Sequence, residues 1–184
     1  MSDCLYNSVD QAIYRAFKVP SGIYTQGLYD GGGSRAHDAM SRQEWIAQDA
    51  MVMAALSDKD TGLENDDLIM LRFKYSDHIA FRGQAADARY LVSKRLEENV
   101  TSMPLVFAFK HVTLRWAGRP KDVTKSLKYW SLEMGVEYVT LAKIRQRGFA
   151  ALNRWDETAF RAAASIIESN GWVAQDQPVA AAGG

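Results

Sequence analysis

The 184 residues are enough for one domain with a proper core or two small ones, and just under half are apolar, which excludes a disordered chain. Lys+Arg and Asp+Glu balance at 22 each, but unevenly: residues 1–109 hold 11 bases against 15 acids, a net −4, and residues 110–161 hold 11 against 5, a net +6. No apolar run approaches the roughly 20 residues of a membrane span, and MSDCLYNSVD lacks the basic and hydrophobic regions of a signal peptide.

Cys4 is the single cysteine, so no internal disulfide forms, and His37, His78 and His111 are too scattered for zinc spacing. A cytoplasmic protein without metal or cofactor is expected. Residues 7–17, NSVDQAIYRAF, predict a short amphipathic helix: Asn7 stands as N-cap, Asp10 favours the positive end of the dipole, and Val9, Ile13 and Phe17 share a face. Pro20, Gly22 and Gly31–Gly33 then predict a mobile loop from about Val19 to Ala39. The triple glycine is not a phosphate loop, because no Gly-Lys-Ser/Thr follows it. Ser41 and Glu44 have capping-box spacing and open a helix to about Leu56, with Trp45, Ile46, Val52, Met53 and Leu56 on one side. The polar turn SDKDTGLENDD does not fit a calcium loop.

Asn65 or Asp66 starts the next helix, marked by Leu68, Leu71 and Tyr75, and Gly83–Val100 carries another through Ala85, Ala88, Val92, Leu96 and Val100. Ser102 and Pro104 predict the N-cap and first turn of a helix to about Trp116, whose stripe Leu105, Phe109, Val112 and Trp116 reads as core. No segment alternates with the period of a strand. The expected fold is therefore all-α, a helical bundle with an acidic body (1–117), a basic region (118–173) and a disordered tail (174–184).

Within the basic region, Asp122 or Thr124 is expected to cap a helix ending at Met134, and Gly135 to make a tight turn into a second helix. Apolar residues fill the positions where two such helices pack: Trp130, Met134, Val136, Leu141 and Ile144, with the small Ser131 at the closest approach. That pattern predicts a helix-turn-helix, whose second helix enters the DNA major groove. Tyr138, Val139, Ala142, Lys143, Gln146 and Arg147 then face the groove, and Arg119, Lys121, Lys125 and Lys128 stand where phosphate contacts fall. Glu137 either accepts from a cytosine amino group or faces away. The second helix is expected to run to about Asn153, and Asp156 to cap a last helix ending at Gly171.

The run GVEYVTLAKIRQRGFAALNRW resembles the DNA-binding region four of bacterial sigma factors, through Gly135-Val136, Leu141, Ile144, Gly148, Phe149 and Leu152. DDLIMLRFKY (66–75) is similar to the helix that precedes that module. A compact helical chain with one such unit near its end looks like the phage late-gene antitermination proteins of the Q type. Some of those carry a cysteine zinc motif, which this chain lacks. The resemblance implies a phage transcription regulator in the bacterial cytoplasm that binds double-stranded DNA and engages RNA polymerase, with sigma factor a possible partner. Two alternatives stand beside it: a small terminase-like DNA-packaging protein, and a helical protein-interaction adaptor. No enzyme is expected: Asp66-Asp67 and Glu97-Glu98 are adjacent pairs that diverge on a helix, and no catalytic residue or nucleophile–base arrangement stands out.

Overall fold

The computed structural model describes residues 5–18, 41–75, 82–118 and 124–173. The loop expected near 19–39, the tail 174–184, and Arg119, Lys121 and Asp122 lie outside them. Over the described residues the protein is all-α: α1 (Val9–Lys18), α2 (Arg42–Leu56), α3 (Asn65–Tyr75), α4 (Arg82–Asn99), α5 (105–116), α6 (Leu127–Met134) and α7 (Tyr138–Ser169). Extended pairing among these residues is limited to an isolated bridge between Tyr6 and Val173. No described helix is long and apolar enough to cross a membrane. The chain forms two compact units, Met1–Leu63 with Arg161–Gly184, and Glu64–Phe160. The regions 1–117 and 118–173 each contribute to both.

In the first unit, α1 begins one residue later than the sequence suggests. Ser8, not Asn7, is its cap: the Gln11 N–H donates to Ser8 Oγ at 3.1 Å, while Gln11 Oε1 accepts from the Asn7 N–H at 2.8 Å. The predicted capping box of α2 is present, with Ser41 Oγ accepting from the Glu44 N–H and Glu44 Oε2 accepting from the Ser41 N–H at 2.6 Å. Ile13 and Phe17 of α1 and Trp45, Val52 and Leu56 of α2 are buried. Beneath them lies a charged cluster. Arg15 grips Asp49 through Nε to Oδ1 at 3.0 Å and Nη2 to Oδ2 at 3.1 Å, and the Tyr6 hydroxyl donates to Oδ1 at 2.8 Å. The Arg15 guanidinium also sits 4.1 Å above the Trp45 ring.

The second unit packs α3, α4 and α5 around the first part of α7. α3 is apolar on more than one side, burying Leu68, Met70, Leu71, Phe73 and Tyr75. α5 departs from the expected stripe. It is built from an α-helical turn Leu105–Phe107, a π-helical segment Ala108–Val112 and a turn Thr113–Trp116. Extra residues in a π turn rotate the register, so Phe107, Ala108, His111, Val112 and Leu114 are buried, whereas Phe109 and Trp116, expected in the core, are only half-buried. Arg89 lies 3.9 Å over the Phe109 ring. Trp116 stacks on Phe73 and donates from Nε1 to Asn153 Oδ1 at 2.7 Å. The buried Thr113 hydroxyl donates to the Ala108 carbonyl at 3.1 Å, beside the backbone N–H of Thr113 that the π turn sends to the same oxygen. Ser102, expected as the cap, has φ 63, and Pro104 occupies the cap position without a side-chain bond.

α7 brings its first half close to α5 at Gly148, where a Cβ would stand 2.7 Å from Met103 Cε and 3.0 Å from Val112 Cγ1. The break expected between Asn153 and Asp156 does not occur, and α7 runs unbroken for 32 residues. No Gly or Pro interrupts it after Gly148, and Asp156 does not cap. Its Oδ2 instead accepts from Lys74 Nζ at 2.7 Å. The far end closes as expected at Gly171 (φ 71), where the Gly171 and Trp172 N–H groups bond the Glu168 and Ile167 carbonyls.

Candidate nucleic-acid interface

The basic segment builds from a cap, a turn and a helix face. α6 is capped by Ser126, whose Oγ accepts from the Tyr129 N–H at 3.1 Å. Thr124, expected in that role, is buried two residues earlier. Gly135 ends α6 in the left-handed region (φ 62, ψ 24), which a side chain would strain. The Val136 N–H reaches back to the Ser131 carbonyl at 3.2 Å, and Ser131 Oγ donates to the Val136 carbonyl at 2.7 Å. Ser131 is therefore more than a small residue at a close approach: its hydroxyl ties the turn. Of the positions expected inward, Trp130, Leu141 and Ile144 are buried, and Ser131, Met134 and Val136 are half-buried.

The opposite side of α7 is open. Tyr138, Val139, Lys143, Gln146 and Arg147 are all exposed. At about 100° per residue they lie across the helix from the stripe Leu141, Ile144, Gly148 and Leu152. Ala142 is half-buried at the margin. Lys125 and Lys128 are exposed at the start of α6, with Lys125 Nζ 5.6 Å from the centre of the Tyr129 ring. Of the candidate DNA contacts read from the sequence, eight are thus placed on the α6–α7 segment, and Arg119 and Lys121 fall outside the described residues. Glu133 and Glu137 are exposed in the same segment, and Leu132 is 78% exposed.

One structural residue of this region was not anticipated. His111 is completely buried, stacked on Phe107 at 5.0 Å and edge-on to Trp130 at 6.5 Å. Its Nδ1 lies 3.0 Å from the Lys125 carbonyl. A carbonyl only accepts, so Nδ1 carries the proton and donates. Burial pushes the His111 pKa down to about 4, and the nearby Arg145 and Arg115 charges act in the same direction, against the bond to Lys125. A neutral imidazole therefore anchors the segment that leads into α6. Arg115 and Arg145, half-buried on α5 and α7, were likewise passed over. The only hint in the sequence was a polar residue set among apolar neighbours in FAFKHVTLRW.

Among the described residues no three His, Cys, Asp or Glu side chains are grouped to hold a metal ion. No protein-family model matches this chain, and neither a curated protein nor a solved structure matches it.

Proposed function

We propose that the protein binds double-stranded DNA sequence-specifically and regulates transcription, with the exposed face of α7 in the major groove. The observation that carries this reading is the single helix face of Tyr138, Val139, Lys143, Gln146 and Arg147, which starts directly after the Gly135 turn and is free of packing. Lys143, Gln146 and Arg147 offer donors for base edges, and Tyr138 and Val139 offer apolar contact to a thymine methyl. Lys125 and Lys128 supply phosphate contacts from the start of α6. The +6 balance of residues 110–161 supports association with a polyanion. The sigma-like run Gly135–Trp155 supports the finer reading, a phage antiterminator that acts on bacterial RNA polymerase.

Selection of bound sequences from random duplexes tests the proposal, followed by binding of Lys143→Ala with Arg147→Ala. We expect one motif to be enriched and the double variant to lose about 1–3 kcal/mol for each base contact removed. Unchanged affinity in that variant sinks the groove assignment. A protein-interaction adaptor is the second reading. It is favoured by the exposed Leu132, Tyr138 and Val139 and by a cleft of about 480 Å³ beside α6 whose lining includes Leu114, Trp130 and Met134. Failure to enrich any duplex, with no salt-dependent DNA binding, selects the adaptor.

A further inference from the structure

We infer that the cleft between α5 and α6 is a self-association surface, covered in solution by the same cleft of a second copy of this chain about a two-fold axis. The cleft holds about 480 Å³, and Trp130 and Met134 line it from α6. Two of its apolar side chains stand well out in water: Val106 of α5 is 45% exposed and Tyr129 of α6 is 42% exposed. Leu132, 78% exposed, follows Tyr129 by three residues and extends the apolar surface along the same side of α6. Large apolar residues gathered at an open surface mark a protein contact. Aromatic residues and Met, as found here, are the types enriched in such contacts.

Charge along the cleft identifies the occupant. Phe107 of α5 packs edge-on against Trp130 at 5.8 Å, whereas His111, later on α5, bonds the carbonyl of Lys125, earlier than Trp130. The two segments therefore run antiparallel. Lys110 and Lys125 fall at one end of the cleft, and Val106 and Glu133 at the other. No ion pair among the described residues includes Lys110, Lys125 or Glu133. A two-fold axis across the middle of the cleft lays the basic end of one copy on the acidic end of the other. Lys110 then faces Glu133 of the partner subunit, and the axis repeats that pair with the roles exchanged. Tyr129, midway between Lys125 and Glu133 in sequence, lies near the axis and meets its own equivalent. Glu133 would repel a phosphate, which separates this cleft from the α7 face as a place for DNA. The inference does not rest on the DNA reading, although such a pair carries two α7 faces, as an inverted repeat in DNA requires.

Sedimentation velocity of the full chain tests this, from low micromolar to near-millimolar concentration, at low and high salt and without DNA. A reversible monomer–dimer equilibrium is expected. Leu132→Glu and Val106→Glu each bring a carboxylate into the apolar contact and are expected to weaken it by about tenfold or more. Where a glutamate lowers the melting temperature, Leu132→Ser and Val106→Thr replace it, with a smaller loss in the same direction. The charge pair gives the sharper reading. Lys110→Glu alone and Glu133→Lys alone each set like charges together and are expected to weaken the dimer severalfold at low salt. Lys110→Glu with Glu133→Lys restores the opposite pairing and is expected to return the affinity close to that of wild type. A chain that stays monomeric throughout overturns the inference, as does a dimer indifferent to Leu132→Glu and Val106→Glu. Failure of the double exchange to recover what the single exchanges lose overturns the two-fold register. None of these results touches the DNA reading, which stands or falls on duplex selection and on Lys143→Ala with Arg147→Ala.

Discussion

Two clusters of charge in this protein are built on opposite terms. Around Asp49, charge is buried and matched: Arg15 is bidentate to the carboxylate, Tyr6 donates to it, and Trp45 covers the guanidinium. Around His111, the buried group is neutral, and the bases near it, Arg115, Arg145 and Lys125, have no acid in an ion pair among the described residues. Burying an ion is tolerable only when a partner is held with it, so the first cluster acts as a lock on the fold. The second keeps its charges near the surface and uses an uncharged ring for the internal bond. Matched charge locks the fold where it is buried, and an uncharged ring does the same work where no acid is at hand.

The largest expected effect breaks the lock. Asp49→Ala leaves the Arg15 guanidinium and the Tyr6 hydroxyl buried without their shared acceptor, at a cost of about 3–5 kcal/mol in chemical denaturation. Adding Arg15→Met to Asp49→Leu removes both ions and is expected to recover most of that loss. If Asp49→Ala costs less than about 1 kcal/mol, or the paired replacement is no better, the cluster is not held by matched charge.

A smaller effect follows from the neutral ring. The folded state holds His111 with a pKa near 4, below its ordinary value of 6.5. The unfolded chain therefore takes up a proton first as pH falls. The stabilisation from neutral His111 is fully present above pH 6.5 and is lost as pH drops from 6.5 towards 4, by up to about 1.4 kcal/mol per pH unit. His111→Phe preserves an aromatic ring against Phe107, leaves the Lys125 carbonyl without its donor, and removes the titration. The difference in unfolding free energy between wild type and this variant is expected to shrink across that window. A constant difference from pH 7 to pH 4 rules out a neutral buried imidazole as the anchor.

How much of this was legible depended on how far apart the cooperating residues stand. The Ser41–Glu44 box and the Gly135 turn could be read because both partners lie within a few residues of each other. The α7 face followed from one helical period. Asp156 misled because its choice was made at a distance: cap preference is a local tendency, and Lys74, 82 residues away, claims the carboxylate instead. The π turn of α5 was invisible for a related reason, since it rotates Phe109 and Trp116 away from a regular stripe. Arg15 with Asp49, and His111 with the Lys125 carbonyl, are convergences between separate segments. A single sequence records the members of such clusters and not their meeting.

The smallest effect sharpens the contrast from the side of α6. If that helix is positioned by uncharged bonds, then its two anchors, Ser126 Oγ to the Tyr129 N–H and His111 Nδ1 to the Lys125 carbonyl, act on adjacent residues and must share their effect. Ser126→Ala is expected to cost about 1 kcal/mol, the usual value of a lost N-cap. Because the two anchors hold one end of one helix, the double variant Ser126→Ala with His111→Phe is expected to lose less than the sum of the single losses. The loss from Ser126→Ala should also be the same at low and high salt, because no ion is involved, whereas DNA binding by the neighbouring bases falls steeply with salt. A Ser126→Ala cost that shrinks with added salt means that charge, not the cap and the imidazole, positions α6. The two clusters would then differ in degree and not in kind.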